Sequence, residues 1–252
     1  VFCQELMKKQ KLANEEELQS YFISRIAKFV ASKGKAIIGW DEILEGGLAP
    51  GATVMSWRGE QGGIEAARKK HRVIMSPNDW VYLDHYQADP NTEPLAIGGD
   101  LPLQKIYEYE PIPSELSEAE ASYVQGVQAN LWTEYVPTTA HAEYMTFPRA
   151  SALAELAWMP KGPRNFEDFA IRLKHHLGRL DHLGVQYAKR IFDVSAETML
   201  STEEQLQVRL IKKDSDSQIH YTLDGSVPTT ASTRYEMPIT LTKTTTVRAM
   251  TT

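Results

Sequence analysis

Residues 14–40 read NEEELQSYFISRIAKFVASKGKAIIGW, a helical pattern followed directly by a short apolar run. Asn14, with Glu17 three residues later, forms a capping-box pattern, and Gly34 is typical of the residue that ends a helix. Apolar residues recur between them with helical period: Leu18, Tyr21, Phe22, Ile26, Phe29 and Val30. The apolar run at 36–40 is typical of a buried parallel strand. The stretch therefore predicts a helix beside a parallel sheet.

The alternation of strands and helices continues along the chain. Further strands are predicted at 53–57, 72–76 and 124–132. Helices are predicted at 61–70, 103–107, 139–147, 149–158 and 165–183. Such alternation is typical of parallel βαβ units. The 252 residues match the length of a whole (β/α)₈ barrel, but four strands predict only half of one.

The sequence changes in character beyond about residue 191. Apolar and polar residues alternate with the period of strands at 206–210, 219–223, 239–241 and 247–249. The turn residues Asp224, Gly225 and Pro228 lie between them. We therefore predict an α/β domain at 1–193 and a small antiparallel β-sandwich module, cut short, at 194–252.

The composition disfavours several classes of protein. The 27 basic and 33 acidic residues give a net charge of −6 without a Lys/Arg-rich stretch, whereas nucleic-acid binding needs a basic patch. No apolar run approaches the roughly 18–20 residues that span a bilayer. Cys3 is the only cysteine, so the chain can form neither an internal disulfide nor a cysteine-based zinc site.

Large aromatic residues stand at or near the predicted strand ends, where sites gather in parallel α/β folds. They are Trp40, Trp57, Tyr82 and Trp132, and acidic residues lie nearby at Asp41, Glu42, Asp84 and Glu134. Flat aromatic rings beside carboxylates suit a sugar, which has an apolar face and many hydroxyls. The alternative is that the tryptophans cap the core, because Trp is highly buried on average.

These residues lie in motifs that resemble glycoside hydrolase family 20, the β-N-acetylhexosaminidases. The motifs are Gly39-Trp40-Asp41-Glu42-Ile43-Leu44, Ser56-Trp57-Arg58-Gly59, Tyr82-Leu83-Asp84, Gln128-Ala129-Asn130-Leu131-Trp132-Thr133-Glu134 and Phe147-Pro148-Arg149. The resemblance runs from about Cys3 to Val194. The tail is similar to the β-sandwich module that follows the barrel in many of these enzymes.

The resemblance implies strands five to eight of a (β/α)₈ barrel and a substrate-assisted retaining mechanism, in which the 2-acetamido oxygen attacks the anomeric carbon. The family places its acid/base Asp-Glu pair in a His-x-Gly-Gly-Asp-Glu motif that ends strand four. That motif is absent from this sequence. Asp41 and Glu42 lie on the next strand without its context, and Gly98-Gly99-Asp100 is followed by Leu101 and is read as a turn.

Position by position, the resemblance implies a catalytic role for Tyr82, which would hydrogen-bond the acetamido carbonyl. Trp40, Trp57 and Trp132 would form an aromatic box around the acetamido methyl and the sugar face. Asp84 and Glu134 would bind the 4- and 6-hydroxyls. The alternative for both carboxylates is a solvated loop position.

The whole enzyme is expected to release terminal β-linked N-acetylglucosamine or N-acetylgalactosamine from glycans, without metal or organic cofactor. The resemblance implies a periplasmic, cell-surface or lysosomal location, and no signal segment is recognised in the sequence. Residues 1–252 alone are expected to be inactive and to self-associate through open barrel edges. Two alternatives remain open: a non-catalytic sugar-binding or adhesion module on a decayed barrel, and another retaining glycosidase that uses Asp84 and Glu134.

Overall fold

The computed structural model describes residues 1–200, 205–212 and 217–252. The chain divides into two compact units, Val1–Thr138 with Arg149–Gly162, and Thr139–Pro148 with Pro163–Thr252. The domain boundary between residues 193 and 194 stays a prediction. None of the helices in the described ranges is long and apolar enough to cross a membrane.

A four-stranded parallel sheet forms the centre of the first unit. Its strands pair in the order β1 (Ile38–Trp40), β2 (Thr53–Ser56), β3 (Val73–Met75) and β4 (Val124–Val127). Its helices are α1 (Phe2–Gln10), α2 (Glu15–Ser32), α3 (Gln61–Arg68), α4 (Asn78–Val81), α5 (Leu103–Glu108), α6 (Glu118–Ala121) and α8 (Arg149–Trp158). The four predicted parallel strands are therefore confirmed.

Helix α2 begins and ends as the sequence predicts. The side chain of Asn14 accepts a hydrogen bond from the Glu17 amide at 2.9 Å, and Gly34 has a φ of 69°, a left-handed conformation that glycine adopts without steric cost. The buried face of α2 differs from the one that the apolar periodicity predicts. Ile23 and Ala27, which were not among the predicted residues, pack against the core of the unit. Phe22, Ile26 and Phe29 are exposed, since the apolar residues of α2 extend around more of the helix than this sheet covers.

Strand β4 is shorter than the predicted strand at 124–132. The Gln128 amide still donates to the Met75 carbonyl at 2.9 Å, but the partner strand then turns at Pro77 into α4. Residues 129–132 consequently have no strand beside them, and pairing resumes only as a single parallel bridge between Tyr82 and Asn130. The polypeptide beyond β4 is thereby left as a loop that carries Trp132 and Glu134.

The described residues of the second unit form two α-helices and two three-stranded antiparallel sheets. The helices are α7 (Thr139–Thr146) and α9 (Phe166–His182). The sheets pair in the orders β5 (Ser195–Leu200), β6 (Leu206–Ile211), β9 (Ile239–Leu241), and β10 (Arg248–Thr251), β7 (Ile219–Thr222), β8 (Thr233–Arg234). Val208 and Leu210 of β6 share one core with Ile219 and Ile239. The predicted β module is confirmed, although β5 and β8 were not predicted.

Candidate active site

One cavity of about 470 Å³ lies at the carboxyl edge of the parallel sheet. It brings together all six site residues named from the sequence: Trp40, Trp57, Tyr82, Asp84, Trp132 and Glu134. Four further residues line it: Glu42, Asn78, His85 and Ile97. Strand β1 ends at Trp40 and strand β2 ends just before Trp57, so the parallel sheet itself places both indoles at one edge.

The four aromatic rings form two pairs. Trp40 and Trp132 have ring centroids 6.0 Å apart with planes inclined at 46°. Trp57 and Tyr82 are stacked, with centroids 6.4 Å apart and planes inclined at 23°. Trp132 remains 44% exposed, whereas Tyr82 is 7% exposed. The cavity therefore has a deep stacked pair and a more open pair, and both present apolar ring surface.

Trp57 is held by the adjacent acidic residues Asp41 and Glu42. Both oxygens of Glu42 accept from the Trp57 indole N–H, at 3.0 and 3.1 Å. The buried Asp41 accepts from the Trp57 and Arg58 amides at 3.1 and 3.2 Å, and its other oxygen lies 2.6 Å from Arg58 Nε. Pairing with Glu45 and then with Asp41 raises the pKa of the Arg58 guanidinium. Both carboxylates are thus engaged in positioning Trp57.

Tyr82 is fixed on the sheet by main-chain hydrogen bonds on both sides. The Leu83 amide donates to the Asn130 carbonyl at 2.7 Å, and the Asn130 amide donates to the Val81 carbonyl at 3.1 Å. Burial raises the pKa of the Tyr82 hydroxyl, and the hydrogen bond with the Trp132 indole opposes this rise. The hydroxyl is therefore protonated at neutral pH and can donate a hydrogen bond.

Asp84 is the buried carboxylate of the cavity. It is 7% exposed, and its Oδ1 is buried without a hydrogen-bond partner among the described residues. Burial raises the pKa of this carboxyl, while its own amide, His85 and Arg149 act to lower it and Glu134 to raise it. Glu134 itself is exposed. The two predicted carboxylates therefore differ, one being enclosed and the other accessible to solvent.

His85 is the principal lining residue that the sequence reasoning did not assign to the site. Its ring centroid lies 6.0 Å from that of Tyr82, and burial lowers its pKa, which favours the neutral imidazole. Its position next to Asp84 was the only signal. Asn78 comes shortly after the end of strand β3, and this position near a strand end was its only signal. Nothing in the sequence marks Ile97.

The described residues contain no group of three or more His, Cys, Asp or Glu side chains arranged to hold a metal ion. Asp41 and Glu42 are occupied by Trp57 and Arg58, and Asp84 and Glu134 are the other carboxylates that line the cavity. The arrangement can therefore stack an apolar ring face and accept hydrogen bonds from hydroxyls.

The chain matches known proteins along most of its length. Residues 1–161 match the glycosyl hydrolase family 20 catalytic domain, and residues 199–252 match the chitobiase/beta-hexosaminidase C-terminal domain. A beta-hexosaminidase of Porphyromonas gingivalis is 46% identical over 94% of this chain and 31% of its own length. A beta-hexosaminidase of Vibrio furnissii is 35% identical over 60% of this chain and 25% of its own length.

Solved structures agree with these matches. A family 20 exo-β-N-acetylglucosaminidase from Vibrio harveyi, crystallised with N-acetylglucosamine, is similar with a TM-score of 0.67 and 32% identity, over 74% of this chain and 30% of that one. A family 20 β-N-acetylhexosaminidase from Streptomyces coelicolor gives a TM-score of 0.61 at 29% identity, over 68% and 36%. The chain spans about a third of the length of the first curated relatives it matches.

The parallel sheet lies within the residues that match the catalytic domain, and strands β6 to β10 lie within those that match the C-terminal domain. The fold is part of a (β/α)₈ barrel followed by a β-sandwich module. The chain belongs to glycosyl hydrolase family 20.

Proposed function

We propose that this chain supplies the sugar-binding cavity of a retaining β-N-acetylhexosaminidase. The whole protein would remove terminal non-reducing β-linked N-acetylglucosamine or N-acetylgalactosamine from glycans. The observation that carries the proposal is the cavity lined by four aromatic rings and by the buried carboxylate of Asp84, whose Oδ1 has no hydrogen-bond partner among the described residues. The named activity of the Porphyromonas gingivalis relative also supports it.

Asp84 is suited to bind a hydroxyl of the terminal sugar. A buried carboxylate oxygen without a partner costs about 1–3 kcal/mol, and more when it is charged. A sugar hydroxyl that donates to this oxygen removes that cost. Glu134, at the exposed side of the same cavity, would accept from a second hydroxyl, and together they would bind the 4- and 6-hydroxyls.

The aromatic residues are suited to hold the acetamido group and the sugar face. Trp40, Trp57 and Trp132 offer the flat apolar surface against which the acetamido methyl would pack. The protonated hydroxyl of Tyr82 would donate to the acetamido carbonyl oxygen as that oxygen attacks the anomeric carbon. Such a donor aids catalysis where it acts on charge that develops in the transition state.

The proton transfers need groups that this sequence does not contain. No His-x-Gly-Gly-Asp-Glu motif is present, and Asp41 and Glu42 are already bonded to Trp57 and Arg58. We therefore assign the acid/base pair to another part of the whole protein. Residues 1–252 alone should bind the sugar without hydrolysing its glycosides.

Two measurements on residues 1–252 test this proposal. A chromogenic N-acetylglucosaminide should be turned over no faster than background, and N-acetylglucosamine should change the tryptophan fluorescence saturably. Asp84→Asn should weaken that binding, while Leu156→Val, which alters a buried residue of α8, should not. Turnover well above background would contradict the assignment of the acid/base pair.

Alanine variants of Asp84 and Glu134 distinguish the alternatives in the whole protein. If Asp84 or Glu134 were the nucleophile of another retaining glycosidase, its replacement by alanine would abolish turnover and azide would restore it. A hydroxyl-binding residue should instead give an active variant with weaker binding, without rescue by azide. A whole protein that binds the sugar and never cleaves it would support a non-catalytic module.

Self-association of residues 1–252 forms part of the same proposal. Ile38 on the edge strand β1 is exposed, as are Phe22 and Phe29 on α2. An open strand edge beside exposed apolar side chains favours association with another chain. Light scattering should show species larger than the 28.4 kDa monomer, and a monodisperse monomer would contradict this expectation.

A further inference from the structure

We infer that Arg149 is a positioning residue for Asp84, and that it acts by binding the main-chain carbonyls on both sides of that residue. The inference rests on the proposed function, because the role given to Asp84 is that of binding a sugar hydroxyl. Arg149 belongs to the Phe147-Pro148-Arg149 motif, to which neither the sequence analysis nor the proposed function assigns a task.

The guanidinium of Arg149 is fully buried and bonded to the main chain at three points. Its Nη1 donates to the carbonyls of His85 and Leu101, each at 3.0 Å. Its Nη2 donates to the carbonyl of Leu83. Leu83 and His85 are the two neighbours of Asp84 in the chain, so the peptide planes on both sides of the carboxylate are fixed by one side chain.

Arginine is the residue type that this arrangement requires. A planar guanidinium presents five N–H donors in a fixed geometry, whereas a lysine ammonium offers three donors around one point. Burying a positive charge costs several kcal/mol unless it is paired or hydrogen-bonded. Three carbonyl oxygens offset that cost, and the charge also stabilises the ionised form of Asp84.

The third carbonyl connects the segment with Asp84 to the loop that carries Ile97. The Leu101 amide donates to the Tyr86 carbonyl at 2.7 Å, and the Tyr86 amide donates to the Gly98 carbonyl at 3.1 Å. Arg149 completes this pairing by joining His85 and Leu101 through one nitrogen. The loop and the carboxylate are therefore held in one arrangement.

Arg149 is itself anchored, since it is the first residue of α8 and the helix packs on the same unit. Ala152 and Leu156 of α8 are buried, and Glu155 accepts a hydrogen bond from the Tyr107 hydroxyl of α5 at 2.8 Å. The guanidinium thus extends from a fixed helix end to the cavity wall. A mobile arginine could not position the carboxylate in this way.

A double-mutant cycle on residues 1–252 tests the inference, with the dissociation constant for N-acetylglucosamine as the readout. Arg149→Lys should weaken binding about tenfold, because displacement by about 1 Å can cost up to a hundredfold. In the Asp84→Asn background, the same substitution should change the constant less than about twofold, since Arg149 acts through Asp84. Equal effects in both backgrounds would overturn the inference. Leu156→Val is the control, because it shortens one buried side chain of α8 and leaves Arg149 and the three carbonyls unchanged.

Amide hydrogen exchange separates this inference from the proposed function. Arg149→Lys should accelerate exchange at Tyr86 and Leu101, whether or not the sugar binds, and Leu156→Val should not. Unchanged exchange would overturn the positioning role. If the chain does not bind N-acetylglucosamine but Arg149→Lys still accelerates exchange, the proposed function is wrong and the positioning role of Arg149 stands. If the lysine variant does not fold, the unsubstituted chain decides without sugar: Tyr86 and Leu101 should exchange as slowly as the buried amides of strand β2, and exchange as fast as at exposed loop amides would overturn the inference.

Discussion

The α-carbon of Gly99 lies against the imidazole of His85, so that a Cβ at position 99 would come within 2.4 Å of His85 Nδ1. Gly99 also has a φ of 71°, in the left-handed region. The ring of His85 also contacts that of Tyr82, with centroids 6.0 Å apart and planes inclined at 48°. An atom added at position 99 therefore has to displace the His85 ring, which in turn contacts Tyr82.

Gly99→Ala should displace His85 and with it Tyr82, and so weaken N-acetylglucosamine binding. The control is Gly51→Ala, because Gly51 has a φ of 75° with nothing within 4 Å of its added Cβ. Both variants should lose about 1 kcal/mol of unfolding free energy through backbone strain. Fluorescence titration with the sugar should show weaker binding in the Gly99 variant alone. Equal affinities would show that the contact with His85 does not matter for the site.

Asp84→Asn should stabilise the sugar-free chain at neutral pH while it weakens sugar binding. The pKa of Asp84 is raised by burial, so ionised Asp84 destabilises the folded state as pH rises through that pKa. Asparagine removes the charge and should raise the unfolding midpoint by about 2–4 °C for each kcal/mol gained. Thermal unfolding without sugar, followed by titration, measures both effects. A variant that is both less stable and weaker in binding would contradict this explanation.

His85 should make folding sensitive to mild acid. Burial lowers its pKa in the folded chain, so the unfolded chain takes up a proton first as pH falls below the ordinary value of about 6.5. The stability that His85 provides is therefore present above that value and is lost as pH falls through the lowered pKa. In His85→Gln, the free energy of unfolding should fall less steeply over this range. If the free energy of unfolding depends on pH in the same way in both chains, His85 does not cause the sensitivity to acid.

Asp41→Ala should destabilise the chain and disturb Trp57. The substitution leaves the amides of Trp57 and Arg58 without their acceptor, and each unsatisfied buried donor costs about 1–3 kcal/mol. Glu45→Ala is the control, because Glu45 pairs with the same Arg58 at an exposed position, where such a pair contributes about 0–1 kcal/mol. Denaturant unfolding and tryptophan emission should change in the Asp41 variant only. A similar loss in the Glu45 variant would assign the effect to the ion pair instead.

The sequence predicted the parts of the structure that local chemistry determines. Asn14 and Gly34 marked the ends of α2, and the position of aromatic and acidic residues near strand ends predicted the members of the cavity. These predictions worked because parallel strands bring their carboxyl ends to one edge. The roles of the six site residues stay predictions, since geometry alone does not assign them.

Other features depend on contacts between distant segments, which no local pattern reveals. The exposure of Phe22 and Phe29 depends on how much of α2 the sheet covers, and the early end of β4 depends on the turn at Pro77 in its neighbour. Arg149 was visible only as part of a motif. Its bonds to the main-chain carbonyls leave no trace in the residue types at 83, 85 and 101.

This last property has a consequence for how the cavity can change. Because Arg149 donates to the main-chain carbonyls of Leu83, His85 and Leu101, these three hydrogen bonds do not depend on which side chains stand there. Exposed side chains in the segment between Tyr86 and Gly98, such as Leu95 and Ile97, can therefore change while the anchor beside Asp84 is kept. The cavity thus combines a main-chain anchor with a lining that substitution can reshape, and Ile97 is the first position to change when altering the shape of the cavity.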